Sequence, residues 1–442
     1  MKKVITYGTY DLIHSGHIKL LERAKKLGDY LVVGVTSDDF DKQRGKINVQ
    51  QSLMERIKNV KETGLADEII VEEYEGQKID DIIKYGIDVF TVGSDWEGNF
   101  DYLNEYCKVT YLPRTEGISS SQIRSSKRKL KVGILGNDPN YLNKFYKESK
   151  YVNGVEIIGL CMDNIKSMDE TVKNLSVVTK DYDLLLNNVD AVYIKCEYKD
   201  RYENIKKALK LHKHVLCESP ICLSKVECEE LFTLAKKNNC ILMEAIRTAY
   251  STAYARLLLM VKAGKIGDVV AIDSTCTTQK VKDVSKFNSL YGWGGNALLP
   301  VFQMLGNKYN SKNIITKYID KDNKKDLFTR INFVFDKATA TVTVAQGAKS
   351  EGELIVTGTK GYIYVPAPWW KTDYFECRYE NLEENKRYFY QLEGEGIRNQ
   401  LVAFTKSIEQ NRFDNHIQYD VSVAISKVME DYTLNNDVIE LK

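Results

Sequence analysis

The sequence predicts an α/β chain of two parallel-sheet units in succession, followed by an α+β region built on an open mixed sheet. Three observations carry this. Strand-like and helix-like stretches alternate along residues 1–129 at the spacing of strand–helix–strand crossovers. A second opening of the same kind, an apolar run ending in a glycine turn, restarts at Lys131-Val132-Gly133-Ile134-Leu135-Gly136. From about Val269 the alternation stops and strand-like stretches dominate. The expected parts are therefore 1–129, 130–250 and 251–442.

In the first part, strands are expected at 4–7, 30–36, 68–71, 88–92 and 108–112, all rich in β-branched or aromatic residues. Helical patterns fall near 17–26, 50–62, 78–84 and 120–127. A basic run, Arg124-Ser125-Ser126-Lys127-Arg128-Lys129, reads as a domain seam. In the middle part, strands are expected at 131–136, 155–161, 191–194 and 215–216, with helices near 202–211 and 225–237. Pro139 suits the first turn of the helix after the glycine turn. In the last part, strands at 269–275, 313–318, 329–335, 339–344, 353–357 and 362–365 are expected to pair mostly antiparallel, across turns such as Gly358-Thr359-Lys360-Gly361.

Charge narrows the partners. With 28% charged residues and a net charge of +2 over 442 residues, the surface is nearly balanced. That argues against bulk binding to nucleic acid or an anionic membrane. There is neither a secretory leader nor an apolar run of about 18 residues, so a cytoplasmic protein is expected. Nine scattered cysteines suit reduced thiols in such a compartment. Cys217, Cys222 and Cys228 fit no zinc spacing, and no protein metal site is expected. A homodimer is the default assembly.

The chemistry concentrates in Gly8-Thr9-Tyr10-Asp11-Leu12-Ile13-His14-Ser15-Gly16-His17. An apolar run precedes it and a helical pattern follows it. Two of the five histidines in the chain thus lie at the positive end of a helix dipole. Gly16, with no side chain, lets a phosphate approach. The stretch resembles the GxFDxxHxGH signature of cytidylyltransferases, with Tyr10 in place of Phe. Two further segments, Gly93-Ser94-Asp95-Trp96-Glu97-Gly98 and Arg114-Thr115-Glu116-Gly117-Ile118-Ser119-Ser120, are similar to those of the glycerol-3-phosphate cytidylyltransferases.

That resemblance implies transfer of CMP from CTP to a small polyol phosphate, with Mg2+ accompanying CTP and pyrophosphate leaving. It implies catalytic roles for His14, His17, Lys46 and Arg114. Substrate or nucleotide contacts are implied for Gly8, Thr9, Tyr10, Asp11, Gly16, Arg44, Arg56, Asp95, Trp96, Thr115, Ser119 and Ser120. The residue types suit the reaction. Charge grows on the equatorial and leaving oxygens, and phosphoryl-type transfer is catalysed mainly by positioning and electrostatics. Ring N–H groups of His14 and His17 can meet those oxygens. Ser119 and Ser120 open an expected helix whose free backbone N–H groups form a second anion site, or simply cap it. Arg114 and Lys46 supply cationic clamps. Asp11 orders the substrate or metal region, turn capping being its alternative use. A family arginine falls near Thr63-Gly64 here. Its loss leaves the acceptor open between glycerol phosphate, a longer alditol phosphate and a related phosphate. By the same resemblance, such products feed bacterial cell-surface polymers.

The rest of the chain resembles the Gfo/Idh/MocA oxidoreductases. The resemblance is carried by Val132-Gly133-Ile134-Leu135-Gly136, Ala191-Val192-Tyr193-Ile194, Glu218-Ser219-Pro220 and Gly294-Gly295-Asn296-Ala297-Leu298-Leu299. It implies a Rossmann domain with a C-terminal mixed-sheet domain, and NAD(P) beside Gly133, Gly136, Asp163, Lys195 and Glu218. Three functional positions depart from it. Asp138 stands where a glycine is expected next to a pyrophosphate. Ser219 replaces the lysine of the EKP motif. Pro300 and Met304 fall where the family has its Asp and His, and neither does acid–base work. This half therefore reads as redox-silent. Two other readings stand beside it. Lys195 could replace the lost lysine in a bifunctional reductase–cytidylyltransferase. Alternatively, the chain is a nucleotide-binding scaffold, against which the intact His14, His17 and Arg114 argue.

Overall fold

Short apolar strands build the first sheet in the computed structural model, which describes residues 1–43, 49–74, 76–113, 129–279, 288–390, 392–413 and 416–442 (side chains of 39, 42 and 43 aside). The chain divides into two units, Met1–Lys129 and Leu130–Lys442. In the first, β1 (Lys3–Gly8), β2 (Tyr30–Thr36), β3 (Glu68–Glu72), β4 (Val89–Gly93) and β5 (Lys108–Leu112) lie parallel in the order β3-β2-β1-β4-β5. Helices α1 (Ser15–Lys25), α2 (Asp38–Gln43), α3 (Leu53–Glu62) and α4 (Gln77–Tyr85) are interleaved with the strands. Successive strand residues point to opposite faces. Val4 and Val33 enter a core with Leu21, Ala24 and Val60, while Ile5 and Val32 enter one with Ile82 and Phe90. The strand order reverses beside β1, so a crevice opens where the carboxyl ends of β1 and β4 diverge.

Helix α3 starts at Leu53, three residues later than the hydrophobic pattern suggests. Ser52 caps it, and its backbone N–H donates to Glu55 Oε2 at 2.7 Å. The amides of Gln50 and Gln51 go instead to Asp11. The helix expected at 120–127 lies outside the described residues.

In the second unit, β6 (Leu130–Gly136), β7 (Val155–Cys161), β8 (Val177–Thr179), β9 (Ala191–Lys195), β10 (His214–Glu218) and β11 (Leu242–Ala245) form a parallel sheet in the order β11-β10-β9-β6-β7-β8. Its helices are α5 (Pro139–Ser149), α6 (Glu170–Lys173), α7 (Tyr182–Asn188), α8 (Tyr198–Lys210), α9 (Lys225–Lys237) and α10 (Thr252–Lys262). An open sheet follows, made of β12 (Val269–Thr277), β13 (Ser311–Asp320), β14 (Lys325–Val334), β15 (Thr339–Ala345), β16 (Leu354–Gly358), β17 (Tyr362–Val365), β18 (Tyr374–Arg378), β19 (Lys386–Phe389) and β20 (Val438–Glu440). Most neighbours are antiparallel, as the sequence suggests, but β12–β15 and β13–β20 are parallel. Helix α11 (Ser289–Leu305) packs on β12 and β15, and α12 (Ile397–Glu409) and α13 (Tyr419–Thr433) complete the unit. One hydrophobic core runs from Val132 and Phe145 through Ile272 and Leu298 to Tyr432, so the regions on either side of residue 250 share it. Among the described residues, no helix is long and apolar enough to cross a membrane.

Candidate active site

The carboxyl end of β1 turns sharply through two residues in the left-handed region, Tyr10 (φ 53°) and Leu12 (φ 48°). Such backbone is costly for residues with side chains and persists only where its surroundings enforce it. Here the buried Asp11 carboxylate accepts the Gln50 amide at 3.1 Å and the Gln51 amide at 3.0 Å, while the Leu12 amide donates to Gln51 Oε1 at 2.9 Å. The Tyr10 ring folds back over the strand end. A Cβ on Gly8 would lie 3.0 Å from it, so any side chain there would press on the ring.

The turn delivers both histidines to the start of α1. His14 is the N-cap, and its Nδ1 accepts the Gly16 amide at 3.1 Å. In the neutral ring this leaves Nε2 as the N–H donor. The His17 ring lies 4.0 Å from that of His14, tilted by 30°, and Tyr10 meets His17 edge-on at 5.6 Å. Two imidazoles thus sit together at a helix N-terminus, where developing negative charge is favoured.

Arg56 is fully buried. It donates to the carbonyls of Thr9 (2.6 Å), Thr36 (2.8 Å) and Gln51 (3.2 Å), and pairs with Asp38 and, at 3.5 Å, with Asp41. Thr9 Oγ1 donates to Asp41 Oδ1 at 2.7 Å. The bonds of Arg56 therefore lock the ends of β1 and β2 to α2. Asp38, Asp41 and Gln51 were not singled out from the sequence. The burial of Arg56, which calls for the two carboxylates, leaves no mark in the sequence around it.

Asp95 and Trp96 stand exposed in a short 3-10 turn after β4, the strand beside β1, with the Trp96 ring 5.8 Å from Phe100. Tyr111 holds that loop by donating to Asp101 (2.7 Å) and accepting from the Phe100 amide (3.1 Å). On the other face, buried Lys78 pairs with Glu72, which accepts the Thr36 hydroxyl at 2.8 Å. Arg23 bonds the Pro113 carbonyl. Arg44, Lys46, Arg114, Thr115, Ser119 and Ser120 lie outside the described residues.

In the second unit, both expected cofactor glycines meet packing demands. A Cβ at Gly133 would lie 2.9 Å from Leu185, and one at Gly136 would lie 2.6 Å from the Lys195 carbonyl. Asp163 accepts the Asn137 side-chain amide at 2.7 Å and returns its own backbone N–H at 2.9 Å. Lys195 Nζ lies 4.0 Å from Asp138 and 4.4 Å above the Tyr141 ring. Glu218 accepts the hydroxyls of Tyr141 (3.0 Å) and Tyr193. Burial works to raise the Glu218 pKa, but Lys195, Arg247 and the two hydroxyls outweigh it and hold the carboxyl below its ordinary range. Ser219 donates to buried Glu244 at 2.6 Å and sits against Gly295 of α11, where a Cβ would meet its hydroxyl.

Comparison with known proteins agrees with this division. A family model described as cytidylyltransferase-like matches residues 5–126, and one described as an oxidoreductase family with an NAD-binding Rossmann fold matches residues 130–246. Over 125 residues the chain is 56% identical to glycerol-3-phosphate cytidylyltransferase of Bacillus spizizenii, covering 28% of this chain and 95% of that protein. The Staphylococcus aureus enzyme of that name is 47% identical over 129 residues, covering 28% and 93%. A 3-ketoreductase from Actinomadura kijaniata, solved with NADP and TDP-benzene, superposes with a TM-score of 0.62 at 15% identity, over 71% of this chain and 100% of that one. A UDP-N-acetylglucosamine 3-dehydrogenase from Acidithiobacillus ferrooxidans gives 0.59 at 12% identity, over 71% and 98%. At these identities the likeness shows the fold. The chain belongs to the cytidylyltransferase-like family, as a nucleotidyltransferase unit fused to a Gfo/Idh/MocA-type oxidoreductase unit.

Proposed function

We propose that the first unit transfers CMP from CTP to a small polyol phosphate, glycerol 3-phosphate or a related alditol phosphate. A phosphate oxygen of the acceptor bonds to the α-phosphorus. The bond from that phosphorus to the bridging oxygen breaks, and the electron pair leaves on pyrophosphate. The observation that carries this reading is the close His14–His17 pair, rings 4.0 Å apart, at the N-terminus of α1, beside the switch point of the sheet. Their N–H groups meet the oxygens that gain charge. Lys46, Arg114, Ser119 and Ser120 complete the phosphate grip, and Asp95 and Trp96 bound the nucleotide. Magnesium enters with the triphosphate, held largely by substrate oxygens. The Asp11 carboxylate already serves the amides of residues 50 and 51.

The second unit is redox-silent in this reading. Ser219, Pro300 and Met304 supply neither a cation nor an acid–base pair. The product, an activated polyol phosphate made in the cytoplasm, suits donation to a growing cell-surface polymer.

The test is pyrophosphate release from CTP with a panel of alditol phosphates, and mass detection of the CDP-polyol. Release with one member of the panel, in step with product, is the expected result. Silence with every acceptor would favour a scaffold. Oxidation of NAD(P)H with small phosphorylated ketoses or aldoses would favour a bifunctional enzyme.

A further inference from the structure

We propose that the dinucleotide cleft of the second unit is filled by the chain's own side chains, Asp138 and Tyr141, so that this unit binds neither NAD nor NADP. The inference rests on the redox-silent reading and goes beyond it. A silent unit can still sense a dinucleotide, whereas a filled cleft cannot.

A Rossmann first turn reads G-x-G-x-x-G, and its glycines are spatial devices. The first makes the tight turn, the second lets the backbone approach the pyrophosphate, and the third lets helix and strand pack closely. Here the series starts at Gly136, at the end of β6, and its second and third positions are Asp138 and Tyr141.

Asp138 is the N-cap of α5, and its carboxylate accepts the Tyr141 amide at 3.2 Å. A backbone donor that a pyrophosphate oxygen would need is taken by a fixed negative charge at the same helix end. An incoming diphosphate would have to displace that bond and sit beside that charge.

Tyr141 carries a ring where the fingerprint tolerates no side chain. From the first turn of α5 it reaches past β6 and β9 to β10, where its hydroxyl donates to Glu218 at 3.0 Å. Lys195 lies 4.4 Å from the ring centroid and Arg247 lies 5.5 Å from it. Tyr193 stacks alongside at 6.2 Å. The ring is thus held by two cations, a carboxylate and a stacking partner.

The remaining cofactor position is also engaged. An acid at the end of the second strand ordinarily accepts ribose hydroxyls. Here Asp163 exchanges two hydrogen bonds with Asn137, in the same glycine turn. Lys195, the candidate to replace the missing lysine, is engaged with Asp138 and the Tyr141 ring.

The test uses the full-length protein titrated with NADH and with NADPH, followed by calorimetry and by energy transfer to the nicotinamide. No saturable binding is expected up to about 1 mM, the weak end of specific affinity. The double variant D138N/Y141A keeps a capping side chain while removing the charge and the ring, and is expected to gain sub-millimolar binding. The variant Y141F keeps the ring and is expected to stay non-binding. Unchanged circular dichroism and melting show that each variant is folded, and D138G/Y141G serves if the first double variant is not. Saturable binding by the unaltered protein without hydride transfer overturns this inference and leaves the redox-silent reading intact. Turnover of NAD(P)H overturns both. A folded double variant that still fails to bind overturns the assignment to these two side chains.

Discussion

His17 and Arg56 show two ways in which one side chain serves the site. In the proposed reaction His17 belongs to the chemistry, since its ring shares the helix N-terminus with His14. Replacing it with alanine removes one donor to the oxygens that gain charge. Turnover is expected to fall by roughly 100-fold or more, as when an oxyanion donor is lost, with an unchanged melting curve. A near-normal rate of pyrophosphate release would contradict the role. Arg56 works beneath the surface: its guanidinium neutralises Asp38 and Asp41 and holds the carbonyls of Thr9 and Thr36. Arg56→Met would take from the fully buried Asp41 carboxylate its ion pair with the guanidinium. That should cost about 3–5 kcal/mol, read from the urea midpoint, with turnover lost as the β1 turn loosens. The histidines were legible because their spacing and the flanking pattern suffice to place them. The partners of Arg56 were not, since nothing local tells a buried helix arginine from an exposed one. Gly8 was half legible: the resemblance implied a substrate or nucleotide contact for it, and the structure adds the Tyr10 ring lying over it.

Elements were legible where short apolar runs, buried on both faces, alternate with amphipathic helices. Strands β1, β2, β7 and β9 alternate with amphipathic helices, and their bounds differ from the sequence pattern by a residue or so. Helix α11 gave no such signal. Its residues are apolar on nearly every side, so no 3.6-residue stripe exists, and Gly292, Gly294, Gly295 and Pro300 read as breakers. Packing against β12 and β15 overrides that local preference. The parallel neighbours β12–β15 and β13–β20 were also illegible, because pairing between distant segments leaves no mark in either. One element carries a pH signature. In the short helical turn before α12, Glu395 bonds Lys144 of α5 at 2.7 Å and Lys371 at 2.6 Å. Burial acts to raise its pKa, but those two lysines prevail and bring it down to about 2. Its folded value lies below its unfolded one, so it stabilises above the ordinary carboxylate range and loses that contribution as the pH falls toward 2. At a site one-third exposed, screening limits this to about 1 kcal/mol. Glu395→Gln should therefore lower the urea midpoint at about pH 6 and leave it nearly unchanged at about pH 2, the lower end of the loss. Equal losses at both would show that the charge is idle.

At the scale of the whole chain, the compositional seam at 124–129 and the second glycine turn lie where the structure passes from one unit to the other. The first unit has a core on each face of its own sheet, with no residue contributed from beyond Leu112 among those described. The 125 residues aligned with the Bacillus spizizenii enzyme cover 95% of that protein. A segment that equals nearly an entire relative and owns its cores has what independent folding requires. A chain ending at Lys129 is therefore expected to fold and to release pyrophosphate from CTP within a few-fold of the full-length rate. The full-length protein should unfold in two steps, since separate cores need not melt together. Calorimetry on the full chain and on residues 1–129 decides this: the isolated unit should reproduce one of the two transitions. A single transition in the full chain, with residues 1–129 unfolded or inactive alone, would mean that the second unit is part of the catalytic machinery and not an independently folded attachment.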